Sequence, residues 1–143
     1  MKNINVFVYG SLRDGFFNYE KYLAGKVLEK KAAKLENMRL YHMPYKGYPA
    51  IISGEGIVNG EIMVIDPNCY EETIKAMDEM EGFKGKDNLE NEYDKIILEV
   101  KNISDNEIEK CFVYFYNKNN DQRFEKESIY IQNGDWKKYM FSE

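Results

Sequence analysis

The stretch from Asp66 to Gly82, DPNCYEETIKAMDEMEG, decides the fold. Asp66 can cap a helix N-terminus, and Pro67 suits the first helical position. Glu71 and Glu72 fall in the early turns, where acids complement the helix dipole. Gly82 supplies the stop. The pattern predicts a helix from Pro67 to about Glu81, the one strong helix in the chain.

Outward from that helix, both flanks read as strands. Before it lie Asn5–Tyr9 (a buried strand ended by Gly10), Val27–Ala33, Met38–Met43, Tyr48–Ile52 and Ile57–Ile65. Gly60 marks a bulge or a point of close backbone approach. Arg13-Asp14-Gly15 and Gly54-Glu55-Gly56 read as turns, Pro44–Gly47 as a loop, and Phe16–Leu23 as a short helical turn. After the helix, Gly85–Glu92 is a polar loop. Tyr93–Val100 and Lys110–Tyr116 then form a hairpin about a turn near Ser104–Asn106. Asn117–Gln122 is loop-like, and Ser128–Phe141 carries no clear pattern. The six or seven strands cluster on either side of one helix instead of alternating with several. This favours an α+β fold with a mainly antiparallel sheet, open or closed into a barrel, over a doubly wound one. The length of 143 residues and the absence of a repeat or linker predict a single domain, 1–143.

Composition narrows the function. With 43% hydrophobic and 31% charged residues, the chain is ordinary for a folded protein. A formal net charge of −5 offers no basic footprint for nucleic acid. No apolar run is long enough to span a bilayer. The N-terminal MKNINVFVYG enters a strand pattern directly, without a signal peptide's apolar stretch, so a cytoplasmic location is expected. There is one histidine, His42, and two cysteines, Cys69 and Cys111, with no CxxC. No metal site is expected. Both cysteines lie in apolar patterns, which argues against a Cys–His nucleophilic pair.

One residue does not fit its face. Tyr70, Ile74 and Met77 share a helical stripe, and the next member of that series is Glu81. A carboxylate is thereby placed where the core should be, whereas Glu79 falls on the solvent side. Desolvation and the negative end of the helix dipole should both raise its pKa. That suits a group which takes and returns a proton near neutrality. The alternative is a helix that frays before Glu81 and leaves it in water. Asp78 borders the same face, where it can act as a structural acceptor for loop amides.

The first strand ends in Tyr9-Gly10-Ser11-Leu12. Glycine permits close approach of a ligand, and successive amides in a turn can form an anion-binding concavity. The same residues would also suit an ordinary strand-ending turn. The sequence has no GxxxxGK[ST], no GxGxxG and no GxSxG.

VFVYGSL (6–12), Tyr48-Pro49-Ala50, Val58-Asn59-Gly60-Glu61, Met77-Asp78-Glu79-Met80-Glu81-Gly82, Tyr93 with its strand, Val113-Tyr114 and Gly134-Asp135-Trp136 occur in one order along almost the whole chain. Together they resemble the γ-glutamylcyclotransferase-like superfamily, which includes the AIG2-like and butirosin-pathway-type proteins. The resemblance implies a barrel-like α+β fold with a polar cavity. It implies that Tyr9, Gly10, Ser11 and Leu12 hold the γ-glutamyl group of a small-molecule substrate, and that Glu81 is the catalytic acid/base. The reaction implied is ring closure of a γ-glutamyl amide to 5-oxoproline plus a free amine, with no metal or organic cofactor. Tyr114 is a candidate to add a hydroxyl to the cavity, Tyr48 a weaker one. Trp136 reads as a packing anchor, and His42 as structural or exposed. Ser11 has no identifiable base to make it a nucleophile. One departure stands out: many relatives have Tyr-x-Arg after the helix, where this chain has Tyr93-Asp94-Lys95, and lysine loses the planar fork. A non-catalytic binding module and a structural protein with an exposed sheet are the competing readings. Monomer and homodimer are both open, as is the leaving amine.

Overall fold

The computed structural model describes residues 3–141. Its elements are β1 (Val6–Val8), α1 (Phe17–Tyr22), β2 (Val27–Met43), β3 (Tyr48–Ile65), α2 (Tyr70–Met80), β4 (Tyr93–Asn102), β5 (Ile108–Tyr116), α3 (Phe124–Glu127), β6 (Ile129–Tyr130) and α4 (Trp136–Phe141). The sheet order is β3-β1-β5-β4-β2, and β2 pairs back onto β3, which closes five strands into a barrel. Each pairing is antiparallel except β1 with β5, which is parallel. β6 adds to β2 beside Tyr41 and His42. The α+β reading with one principal helix holds, and the barrel alternative is the one adopted. Among the described residues, no helix is long and apolar enough to cross a membrane.

Two sequence breaks turn out to be bends within strands. Val27–Ala33 and Met38–Met43 are one strand, interrupted by an irregularity between Glu36 and Met38, with Asn37 at φ 63°. Tyr48–Ile52 and Ile57–Ile65 are likewise one strand, and Gly54-Glu55-Gly56 is not a turn. The glycine has a different purpose there. A Cβ on Gly56 would lie 2.7 Å from the Met38 carbonyl oxygen, so its absence lets the two bent strands stay close.

Gly60 marks the second close approach. A Cβ there would lie 2.2 Å from the Val8 carbonyl oxygen and 2.8 Å from the Phe7 ring. Gly60→Ala is therefore expected to lower the melting temperature by at least about 5 °C, the usual scale for overpacking. A thermal melt checks this; an unchanged midpoint would contradict the contact.

Alternation along β1 sorts the core. Val6 and Val8 pack with Ile74 and Met77 of α2, on the outer face of the barrel. Phe7 and Tyr9 face the other way, among Val58, Ile62, Val100 and Val113. Along Tyr70–Met80, Ile74 and Met77 are buried as the wheel predicts, Tyr70 is half-buried, and Thr73, outside the predicted stripe, is buried as well. The helix start differs slightly, because Pro67–Cys69 forms a 3-10 turn capped by the Asp66 side chain, which accepts from the Asn68 amide. The unpatterned Ser128–Phe141 resolves into β6, a turn and α4, with Gly134 (φ 68°) accepting a hydrogen bond from the Asn59 amide at 2.7 Å. Elements of two and six residues are too short for periodicity to reveal.

Candidate active site

The end of β1, the end of α2 and the loop before β4 converge on a cavity of about 150 Å³. Tyr9, Gly10, Ser11, Leu12, Glu81 and Tyr114 all line it, so the structure brings together every site residue the sequence pointed to. Tyr48, the weaker candidate, lines it too, and the structure adds Asn18, Pro49, Glu92 and Tyr93.

The loop is shaped by its own turn. The Arg13 amide donates to the Gly10 carbonyl at 3.0 Å, and Ser11 accepts at its carbonyl from the Tyr19 amide at 3.2 Å. Asn18 on α1 donates to Ser11 Oγ at 2.8 Å. Ser11 thus sits beside an amide, not a base. The amides of Gly10, Ser11 and Leu12 find no acceptor among the described residues. Three successive free N–H groups beside a cavity are donors suited to an anion. Gly10 is needed for a second reason: a Cβ there would lie 2.7 Å from Cγ of Pro49.

Glu81 closes α2 as its C-cap, with φ −81° and ψ −2°, and its amide donates to the Met77 carbonyl at 2.9 Å. The helix does not fray before it. Gly82 follows at φ 69°, the left-handed stop that glycine favours. Glu81 is half-buried by surface area, yet its carboxyl is deep enough that burial is the first cause pushing its pKa up, to about 8. The nearby charges of Glu92 and then Asp78 push in the same direction. These like charges are a second influence, beside the helix end expected from the sequence. Among the described residues, no hydrogen bond or ion pair satisfies its carboxylate.

Asp78 behaves differently. It accepts from the Tyr114 hydroxyl at 2.7 Å and pairs with Lys95 at 2.9 Å. Its side chain therefore serves the sheet, not the loop amides considered from sequence. Lys95 itself lies over the rings of Phe112 and Phe83, at 4.8 and 5.2 Å, and does not line the cavity. Lys95 thus ties the end of α2 to β4 through Asp78.

The tyrosines hold the wall. Tyr9 donates to the Tyr114 carbonyl at 2.6 Å and Tyr93 to the Pro49 carbonyl at 2.5 Å. Burial holds both hydroxyls protonated, well above the ordinary tyrosine value. Tyr48 donates to Glu92, which also pairs with Lys46 at 2.8 Å. Glu92 reaches the cavity because the buried Asn91 folds the preceding loop, accepting from the Lys84 amide and donating to the Gly85 carbonyl and to Asp94. The Glu92 amide then donates to the Gly82 carbonyl at 3.1 Å, which sets it beside the end of α2.

The other reactive side chains lie elsewhere. His42 Nδ1 accepts from the Trp136 indole at 3.1 Å, and Trp136 is a buried packing residue against Phe16. Burial pushes the Cys111 thiol up to about 12, and neither cysteine lines the cavity. Among the described residues, no group of three histidine, cysteine or carboxylate side chains is placed to hold a metal ion.

This fold and site agree with what the chain resembles. The family model for gamma-glutamyl cyclotransferase, AIG2-like, matches residues 6–138. The chain belongs to that family. A Methanocaldococcus jannaschii protein, provisionally named a gamma-glutamylcyclotransferase, is 35% identical over 136 residues, spanning 94% of this chain and 96% of that one. The gamma-L-glutamyl-butirosin B gamma-glutamyl cyclotransferase of Niallia circulans is 28% identical over 135 residues, covering 94% of this chain and 76% of its own. The crystal structure of an AIG2-like protein from Mus musculus shares the fold with a TM-score of 0.61 at 23% identity, covering 80% of this chain and 77% of that one.

Proposed function

We propose that this chain converts a γ-glutamyl amide into 5-oxoproline and a free amine, with Glu81 as the general acid/base. The observation that carries the reading is Glu81 itself. It is a carboxylate with no partner among the described residues and a pKa pushed up to about 8, lining the same cavity as the residues of three free loop amides.

In this reading the loop amides hold the substrate's α-carboxylate or the developing oxyanion. Glu81 takes a proton from the α-ammonium. The freed amine attacks the γ-carbonyl carbon, forming the ring C–N bond. Glu81 then gives its proton to the leaving nitrogen as the old C–N bond breaks. Of the three ammonium protons, one stays on the lactam nitrogen and two end on the departing amine, through Glu81 or water. Nucleophile and electrophile belong to one molecule, so holding the ring-closing pose supplies much of the rate; effective molarities of about 10⁵ M and above are known for such pairs. No cofactor enters any of these steps. A binding module would use the cavity and the loop but would need no proton carrier at the end of α2.

The pH dependence tests the assignment. The base form of Glu81 must be populated, and its free-enzyme pKa is about 8. kcat/KM for 5-oxoproline release should therefore rise with pH through a limb near that value. Glu92 is a like charge that raises this pKa, so Glu92→Gln should shift the limb to lower pH. A limb unmoved by Glu92→Gln, or one at the ordinary carboxylate range in the wild type, would count against Glu81 as the base.

A further inference from the structure

Among the described residues, the charged side chains that line the cavity are Glu81 and Glu92, and no lysine or arginine joins them. The α-ammonium and α-carboxylate of a γ-glutamyl group have partners in Glu81 and the loop amides. That leaves Glu92 facing whatever is attached beyond the scissile bond. Its environment already holds an ammonium: Lys46 pairs with it at 2.8 Å and lies over the rings of Tyr48 and Tyr116 at 5.8 and 5.9 Å, within cation–π range. Asp121 adds a second carboxylate at the Tyr116 hydroxyl, accepting from it and from the Tyr45 hydroxyl at 2.6 and 2.5 Å. Lys46 is itself part-exposed, and it does not line the cavity.

We propose that Glu92 selects the leaving amine by charge, favouring conjugates whose leaving half carries an ammonium over those whose leaving half carries a carboxylate. This rests on the cyclotransferase reading above. A carboxylate entering here meets Glu92 from the cavity side, while the paired Lys46 lies outside the lining. An ammonium competes with Lys46 for the same carboxylate and ring faces.

Three conjugates of matched length test this: γ-glutamyl amides of 1-butylamine, 1,4-diaminobutane and 4-aminobutanoate. The wild type should show kcat/KM in the order ammonium, methyl, carboxylate, with the two extremes about fivefold apart, the upper scale of a part-exposed ion pair. Comparing substrates within one variant cancels any effect of Glu92 on Glu81. Glu92→Gln should collapse the order, and Glu92→Lys should invert it. Lys46→Met should lower KM for the ammonium conjugate. An order that persists in Glu92→Gln overturns the proposal. So does a loss in Lys46→Met confined to the carboxylate conjugate, which would make Lys46 the counter-ion of an anionic leaving group. If the wild type turns over none of the three, the cyclotransferase reading fails, and calorimetric binding of the same conjugates still decides the charge preference: the same order supports it, and equal or absent binding overturns it.

Discussion

Glu81→Gln is expected to lower 5-oxoproline release by about 10²- to 10⁴-fold, the usual worth of a positioned acid/base, while the protein stays folded and still binds substrate. Glutamine keeps the shape and removes the proton carrier. The variant also has a thermodynamic signature. Folding raises the Glu81 pKa to about 8 from an ordinary carboxylate value near 4.5. The folded state therefore holds the proton more tightly than the unfolded one. Stability from this group is fully present below the ordinary value and is lost as pH rises through about 8. Glutamine pays no such penalty, so the variant should melt higher than the wild type at pH 9 and alike at pH 4. Thermal melts at the two pH values check this beside the activity assay. Full activity in Glu81→Gln would sink the mechanism. An identical melt at pH 9 would mean that Glu81 is not desolvated as the structure has it.

Gly10→Val should cut kcat/KM by about 10²-fold, the scale associated with displacing bound groups by about an ångström. A Cβ at Gly10 would lie 2.7 Å from Pro49 Cγ and 3.0 Å from its Cδ, and both residues line the cavity. Valine must push either the loop amides or the Pro49 wall away from their places. The fall should come mainly through KM, because the loop holds substrate and the proton carrier sits on another element. Gly10→Ala should be intermediate. Steady-state kinetics on folded variants decide the point, and unchanged Michaelis parameters in Gly10→Val would remove the loop from the site.

Much of this site was legible in the sequence because its parts obey local rules. The Tyr70, Ile74, Met77 series has a helical period, so a carboxylate at its next position is visible without coordinates. The strand ending in Tyr9-Gly10-Ser11-Leu12 is equally local. Glu92 was not legible. It follows a loop with no period, and it faces Glu81 only because the buried Asn91 ties that loop to Lys84, Gly85 and Asp94. Asn18 reaches Ser11 for a similar reason, through the packing of a short α1. The fold shows the same division. The helix and hairpin follow from pattern and turn chemistry. The continuity of β2 and β3 does not, because a bend carried by Asn37 and Gly56 looks like two strand ends until the partner strand is in place. Closure of the barrel depends on pairing β1 with β5, residues far apart in the chain, which no local signal encodes.

The central claim is that the substrate's own α-amine displaces the leaving amine. The direct measurement is turnover of a γ-glutamyl amide in ¹⁸O-enriched water, with the α-nitrogen labelled as ¹⁵N. The account predicts ¹⁵N-labelled 5-oxoproline free of ¹⁸O, formed in equal amount with the amine. Glutamate carrying ¹⁸O would show hydrolysis by water instead, and substrate bound with neither product formed would show a binding protein; either result contradicts the account.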